Sequence, residues 1–147
     1  MIVYLETSAF VKFIVDEDGT NKARDWFGRA CLAASSVITF PEACAALNRR
    51  ALHARSSYAL SRWLVAMESH RAQTACAGVD ERRAGQLAVK HGLRGMDLIR
   101  FGAIVRVRDG ALARSASASV AVAVYDRRLV EATEREGFAM LGGLPSC

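Results

Sequence analysis

This sequence has few of the features that usually give a function away. Only two prolines and three lysines occur in 147 residues, and aromatic residues make up 7%. The glycines are scattered, with no GxGxxG or GxxxxGKS/T arrangement, so the glycine-rich loops that cradle nucleotide phosphates are excluded. No apolar run approaches the ~20 residues that a membrane-spanning helix needs. No basic segment follows Met1, and Glu6 and Lys12 interrupt the first apolar stretch, so no signal peptide is expected and the expected compartment is the cytoplasm. The four cysteines, Cys31, Cys44, Cys76 and Cys147, form no CxxC pair. Apolar neighbours make Cys31, Cys44 and Cys76 expected buried thiols rather than zinc or redox sites, with Cys147 exposed at the tail. His53, His70 and His91 fall in or at the ends of polar helix faces, which supports neither a Ser-His-Asp nor a Cys-His hydrolase.

What remains is an ordinary globular composition, 52% hydrophobic and 24% charged, and a length that fits one domain over residues 1–147 with a sizeable core. The net charge is +5, and arginine supplies most of the 20 basic residues. Guanidinium groups pair bidentately with phosphates, so this balance suits a polyanionic partner. A GC-rich genome would produce the same balance for any function.

Strand and helix signals alternate along the chain. Ile2 to Leu5 reads as a strand buried on both faces, followed at once by a helix from Ser8 to about Val15 with Ser8 as N-cap. Thr20 is expected to cap a second helix to about Ala30, with Trp26 and Phe27 in the core. A short strand over Cys31 to Ala34 precedes a long helix that carries Pro41 in its first turn and runs to about Arg55. Ser57 opens another helix to about His70, whose Leu60, Trp63, Leu64 and Met67 recur at helical spacing as core or interface. A brief strand within Gln73 to Val79, a helix from Glu81 to Lys90 capped by Asp80, and one from Asp97 to about Val107 come next. Arg108 to Ser119 reads as an exposed mobile loop. Val120 to Tyr125 is a strand, Arg128 to Glu136 a helix with Gly137 as its stop, and Phe138 to Leu141 a last short strand. The class is α/β, with a mainly parallel sheet of four to five strands.

Four acids stand out by position. Glu6 and Asp126 follow strands directly, and Glu42 and Asp97 lie in the first turns of helices. Each has a structural explanation, since a carboxylate in a helix's first turn offsets the macrodipole by about 0.3–1 kcal/mol. Together they mean more. The carboxyl ends of parallel strands share one edge of the sheet, and the helices that follow begin there, where open α/β sheets bind ligands. Carboxylates gathered at one edge repel unless cations neutralise them, and hard oxygen donors suit Mg²⁺ or Mn²⁺. Such ions activate water and stabilise the attacking and leaving oxygens at a phosphodiester.

The segments that carry these acids resemble, in order, those of the PIN domains, and among them the VapC-type toxins of bacterial toxin–antitoxin pairs. They are Leu5-Glu6-Thr7-Ser8, Pro41-Glu42 with the Ala/Leu/Arg-rich run to Arg50, His91-Gly-Leu-Arg-Gly-Met-Asp97, and Tyr125-Asp126-Arg-Arg-Leu129. The resemblance implies a three-layer α/β/α PIN-like fold and a Mg²⁺- or Mn²⁺-dependent ribonuclease with RNA as substrate. Glu6, Glu42, Asp97 and Asp126 would be both the catalytic and the metal-holding residues, with Ser8 bonded near the metal. It also implies a small antitoxin partner and a homodimer, for either of which the Trp63/Met67 stripe is a candidate surface.

The chain departs from the family at three places. Glu6 stands where Asp is usual, and its extra methylene shifts the carboxylate by about a bond length, against the near-ideal octahedron at about 2.0–2.1 Å that Mg²⁺ demands. Lowered activity, a shift toward Mn²⁺ and loss of activity are all open on that ground. Arg100 stands where His is frequent, placed to contact phosphate or to cover a carboxylate. The stretch from Arg108 to Ser119 is longer than usual. The alternative to a nuclease is a PIN-like module that binds RNA or protein without cutting. A receiver-like phosphoryl-transfer domain ranks last, because Glu6-Thr-Ser supplies no nucleophilic Asp.

Overall fold

The computed structural model describes residues 1–141, so the sequence expectation for Cys147 lies outside the described residues. Among the described residues the sheet has five strands: β1 (Ile2–Leu5), β2 (Leu32–Ser36), β3 (Thr74–Ala77), β4 (Val120–Ala123) and β5 (Ala139–Leu141). All neighbours pair in parallel, in the order β3-β2-β1-β4-β5. Successive side chains of the central strand point to opposite faces, so each face needs its own cover. Val3 and Leu5 pack with α1 (Thr7–Ile14), α2 (Thr20–Arg29), α3 (Thr39–His53) and α4 (Ser57–Ala72). Ile2 and Tyr4 pack with α5 (Glu81–His91), α6 (Gly95–Arg114) and α7 (Arg127–Arg135). The result is a three-layer α/β/α fold with the central strands β1 and β4 sealed between two cores. Among the described residues no helix is long and apolar enough to cross a membrane.

Strand order reverses at β1. From β1 the chain winds outward through β2 to β3, then crosses by α5 and α6 to β4 on the other side of β1. The carboxyl ends of β1 and β4 therefore flank the crevice where α/β sheets bind ligands. Their register is Tyr4 beside Val122 and Leu5 beside Ala123, and Glu6 N donates to Ala123 O at 3.0 Å.

Several elements differ from the sequence reading. The N-cap of α1 is Glu6 rather than Ser8, and its carboxylate accepts from Ser8 N. Thr20 is no cap either: Gly19 holds that position at φ 90°, and the Thr20 hydroxyl turns back to Lys12 O and Val15 O. The expected loop from Arg108 is largely helix, because Ala111 buries against the sheet and the Ala-Leu-Ala-Arg run favours helix, so α6 continues to Arg114. Only residues 115–119 link α6 to β4. Cys31 and Cys76 are exposed and Cys44 half-buried, against the expectation of buried thiols. Cys76 lies on β3, an edge strand of the sheet among the described residues. His70 packs edge-to-face with Phe13 and Phe27, and His91 is buried against Phe101 and Glu136, so neither lies on a polar face. Met67 is fully buried, with Leu60 and Trp63 packed on the same core, while Leu64 turns outward.

Candidate active site

The four acids come to one edge of the sheet by four local routes. Glu6 leaves β1 and caps α1, Oε2 accepting from Ser8 N at 2.8 Å and from the Ser8 hydroxyl. That hydroxyl in turn accepts from Tyr125 N at 3.3 Å, which ties the exit of β1 to the exit of β4. Glu42 lies in the first turn of α3, where Thr7 Oγ1 donates to its Oε2 at 2.6 Å. Asp97 occupies the first turn of α6. Asp126 caps α7, with Oδ1 accepting from Arg128 N and Leu129 N at 3.0 and 3.2 Å.

Arg100 stands at the centre of three of them. It lies one turn after Asp97 on α6, and its Nη1 is 3.1 Å from Asp97 Oδ1. Its planar fork grips Glu42, Nε to Oε2 at 3.1 Å and Nη2 to Oε1 at 2.6 Å, while Nε also lies 3.3 Å from Glu6 Oε1. Glu6 is nearly sealed, its side chain 3% exposed, and the Arg100 side chain is 19% exposed. Burial works against the Arg100 charge, yet the Glu42 hydrogen bond and the charges of Glu6, Glu42 and Asp97 hold its pKa above the ordinary arginine range. Beneath it, the buried Tyr4 hydroxyl donates to Arg100 O at 3.4 Å. Burial first, and the Glu6 charge second, push the Tyr4 phenol far above its usual range, so it stays a neutral donor.

Asp126 forms no ion pair with Arg100 but borders two hollows. One, of about 370 Å³, is lined by Glu6, Ser8, Lys12, Arg50 and Arg100 as well as Asp126. The other joins Asp126 to Asp97 beside Arg127, Arg128 and Glu131. The structure thus places Glu6, Glu42 and Asp97 round one guanidinium, with Asp126 across the adjoining hollow. Ser8 bonds directly to Glu6.

The sequence reading missed Thr7, Lys12 and Arg50. Lys12 lies one helical turn beyond Ser8, and Arg50 two turns beyond Glu42, so each shares a helix face with a residue already singled out. Both reach Glu17, Lys12 Nζ at 3.2 Å and Arg50 Nη1 at 2.7 Å.

The oxygens of these four acids are the donors that Mg²⁺ and Mn²⁺ prefer. As arranged, they do not fit an ion. Among the described residues no three Asp, Glu, His or Cys side chains stand close enough to share one, and Arg100 fills the space between three of the four acids.

No protein-family model matches the chain. Ribonuclease VapC45 and Ribonuclease VapC49, from two strains of Mycobacterium tuberculosis, are each 33% identical to it over 133 residues, covering 87% of this chain and 86% of the relative. The crystal structure of Mycobacterium tuberculosis VapC20, described as a sarcin-ricin loop cleaving toxin, superposes with a TM-score of 0.61 over 93% of this chain and 96% of that one. At 16% identity that likeness speaks for the fold. With a third of its residues shared along most of the length of two ribonucleases, and with its acids at the sheet edge where such folds bind ligands, the chain belongs to the VapC family of PIN-domain toxins.

Proposed function

We propose that the protein is an endoribonuclease that hydrolyses RNA phosphodiester bonds, as the toxin of a VapC-type toxin–antitoxin pair. The observation that carries this reading is the 33% identity to two ribonucleases along most of both chains. The site is consistent with it. Hydrolysis needs a carboxylate to take a proton from water and positive charge to receive the phosphate oxygens. The hollow between β1 and β4 offers Glu6 and Asp126 for the first, and Lys12, Arg50 and Arg100 for the second.

The reading includes Mg²⁺ or Mn²⁺ as cofactor, with Glu6, Glu42, Asp97 and Asp126 as its proposed ligands. It also includes a small antitoxin and a second copy of the chain as partners. Leu52, Tyr58 and Val65, exposed on α3 and α4, are apolar surface suited to a protein partner. The test is cleavage of total RNA by the purified protein, with and without EDTA. Cleavage that EDTA stops, and that Asp97→Asn removes, supports the reading; intact RNA in millimolar Mn²⁺ with folded protein overturns it.

One observation favours a second reading, a module that binds RNA or protein without cutting: Arg100 already pairs with Glu6, Glu42 and Asp97. That reading expects RNA binding without cleavage under every metal condition.

A further inference from the structure

Arg100 is an unusual neighbour for a candidate metal centre. One guanidinium meets three carboxylates drawn from the exit of β1, the first turn of α3 and the first turn of α6. Its fork on Glu42 is the bidentate geometry that makes arginine–carboxylate pairs strong, and arginine does not lose its proton to release them. The three acids are spaced to suit a planar group several ångströms across. A divalent ion would need oxygens converging within about 2.0–2.1 Å of one point, and no such convergence of three acidic groups exists among the described residues.

We propose that Arg100 is an internal counter-ion that competes with the divalent cation for the same carboxylates, so that metal enters only as the guanidinium leaves. This rests on the reading that the site takes Mg²⁺ or Mn²⁺. Tyr4 bonds the Arg100 carbonyl, so the helix turn stays anchored while the flexible side chain swings. The hollow lined by Glu6, Ser8, Lys12, Arg50 and Asp126 adjoins the guanidinium and gives it room. Three carboxylates facing one guanidinium also leave a net negative charge, so the closed arrangement still attracts a cation. Metal occupancy is then set by the contest with Arg100, and the wild-type site binds ions more weakly than its four acids alone would.

The test is calorimetric titration of Mn²⁺ into the wild-type protein and into Arg100→Met, which keeps the stem and removes the charge. Thermal melts with and without Mn²⁺ run in parallel, and RNA cleavage by the wild type is measured with and without EDTA. We expect Mn²⁺ to bind Arg100→Met at least tenfold more tightly, and to restore a melting temperature lowered by the loss of the ion pairs. Arg100→Lys, which keeps a point charge without the fork, should fall between the two and serves if Arg100→Met does not fold. Equal or weaker Mn²⁺ binding in the variants overturns the competition. If wild-type cleavage remains sensitive to EDTA in that case, the metal reading survives it. If neither protein binds Mn²⁺ and cleavage ignores EDTA, both fail together.

Discussion

The Ser8 hydroxyl accepts a hydrogen bond from Tyr125 N at 3.3 Å while donating to Glu6 Oε2, so one small side chain joins residues 117 positions apart at the switch point of the sheet. It replaces the ladder bond that β1 and β4 stop making beyond Ala123, and it orients the first acid. Ser8→Ala leaves Tyr125 N and one Glu6 oxygen without this partner. The expected loss is about 1–2 kcal/mol, read as a lower urea midpoint with unchanged m-value. An unchanged midpoint would show that water replaces the hydroxyl.

Glu6→Asp separates capping from reach. Asp is among the best N-cap residues, so α1 should keep its cap and stability should change by less than about 1 kcal/mol. The shorter side chain draws back from Arg100 Nε, now 3.3 Å away. Mn²⁺ affinity should therefore rise in Glu6→Asp, as a titration would show; a fall would mean that the longer glutamate is the better donor here.

Asp126 has both a structural duty and a proposed catalytic one, and two substitutions part them. Asp126→Asn keeps an acceptor for Arg128 N and Leu129 N, while Asp126→Ala loses the cap, at about 1 kcal/mol. RNA cleavage should be lost in both, and thermal stability only in Asp126→Ala. Cleavage retained in Asp126→Asn would remove the carboxylate from the site.

A carboxylate far from this site is expected to contribute to the acid limb of stability. Glu136, at the end of α7, accepts from Lys90 and from His91 Nε2 of α5, and these bonds lower its pKa to about 2. A depressed folded pKa stabilises above the ordinary carboxylate range, and this contribution is lost as pH falls through the folded value. Unfolding free energy should therefore decline between about pH 4.5 and pH 2. Glu136→Gln should be less stable at pH 6 and show a flatter decline, followed by urea unfolding at stepped pH. Parallel wild-type and variant curves would assign the acid limb to other groups.

The length of α6 shows where local reading fails. The Ser-rich tail and the Asp-Gly pair suggest a loop from Arg108, yet Ala111 packs on the sheet face and pulls the preceding turns into helix. Local turn signals are weak, and burial against another element overrides them. The cysteines failed for a related reason. Apolar neighbours in sequence do not bury a side chain on an edge strand, and Cys76 lies on one.

The alternation of strands and helices follows from local patterning alone, as does an acid at the exit of β1, in the first turns of α3 and α6, and just beyond β4. Those are local facts, carried by apolar runs, caps and glycine stops. The pairing of Asp97 with Arg100 was also within reach, since residues three apart share a helix face. That the same guanidinium grips Glu42, 58 residues away, and lies beside Glu6 is a product of long-range packing. That depends on the order β3-β2-β1-β4-β5 and on three layers packing so that three element ends meet. Periodicity reports which way a side chain faces within its own element, whereas the sheet order chooses the neighbour it faces.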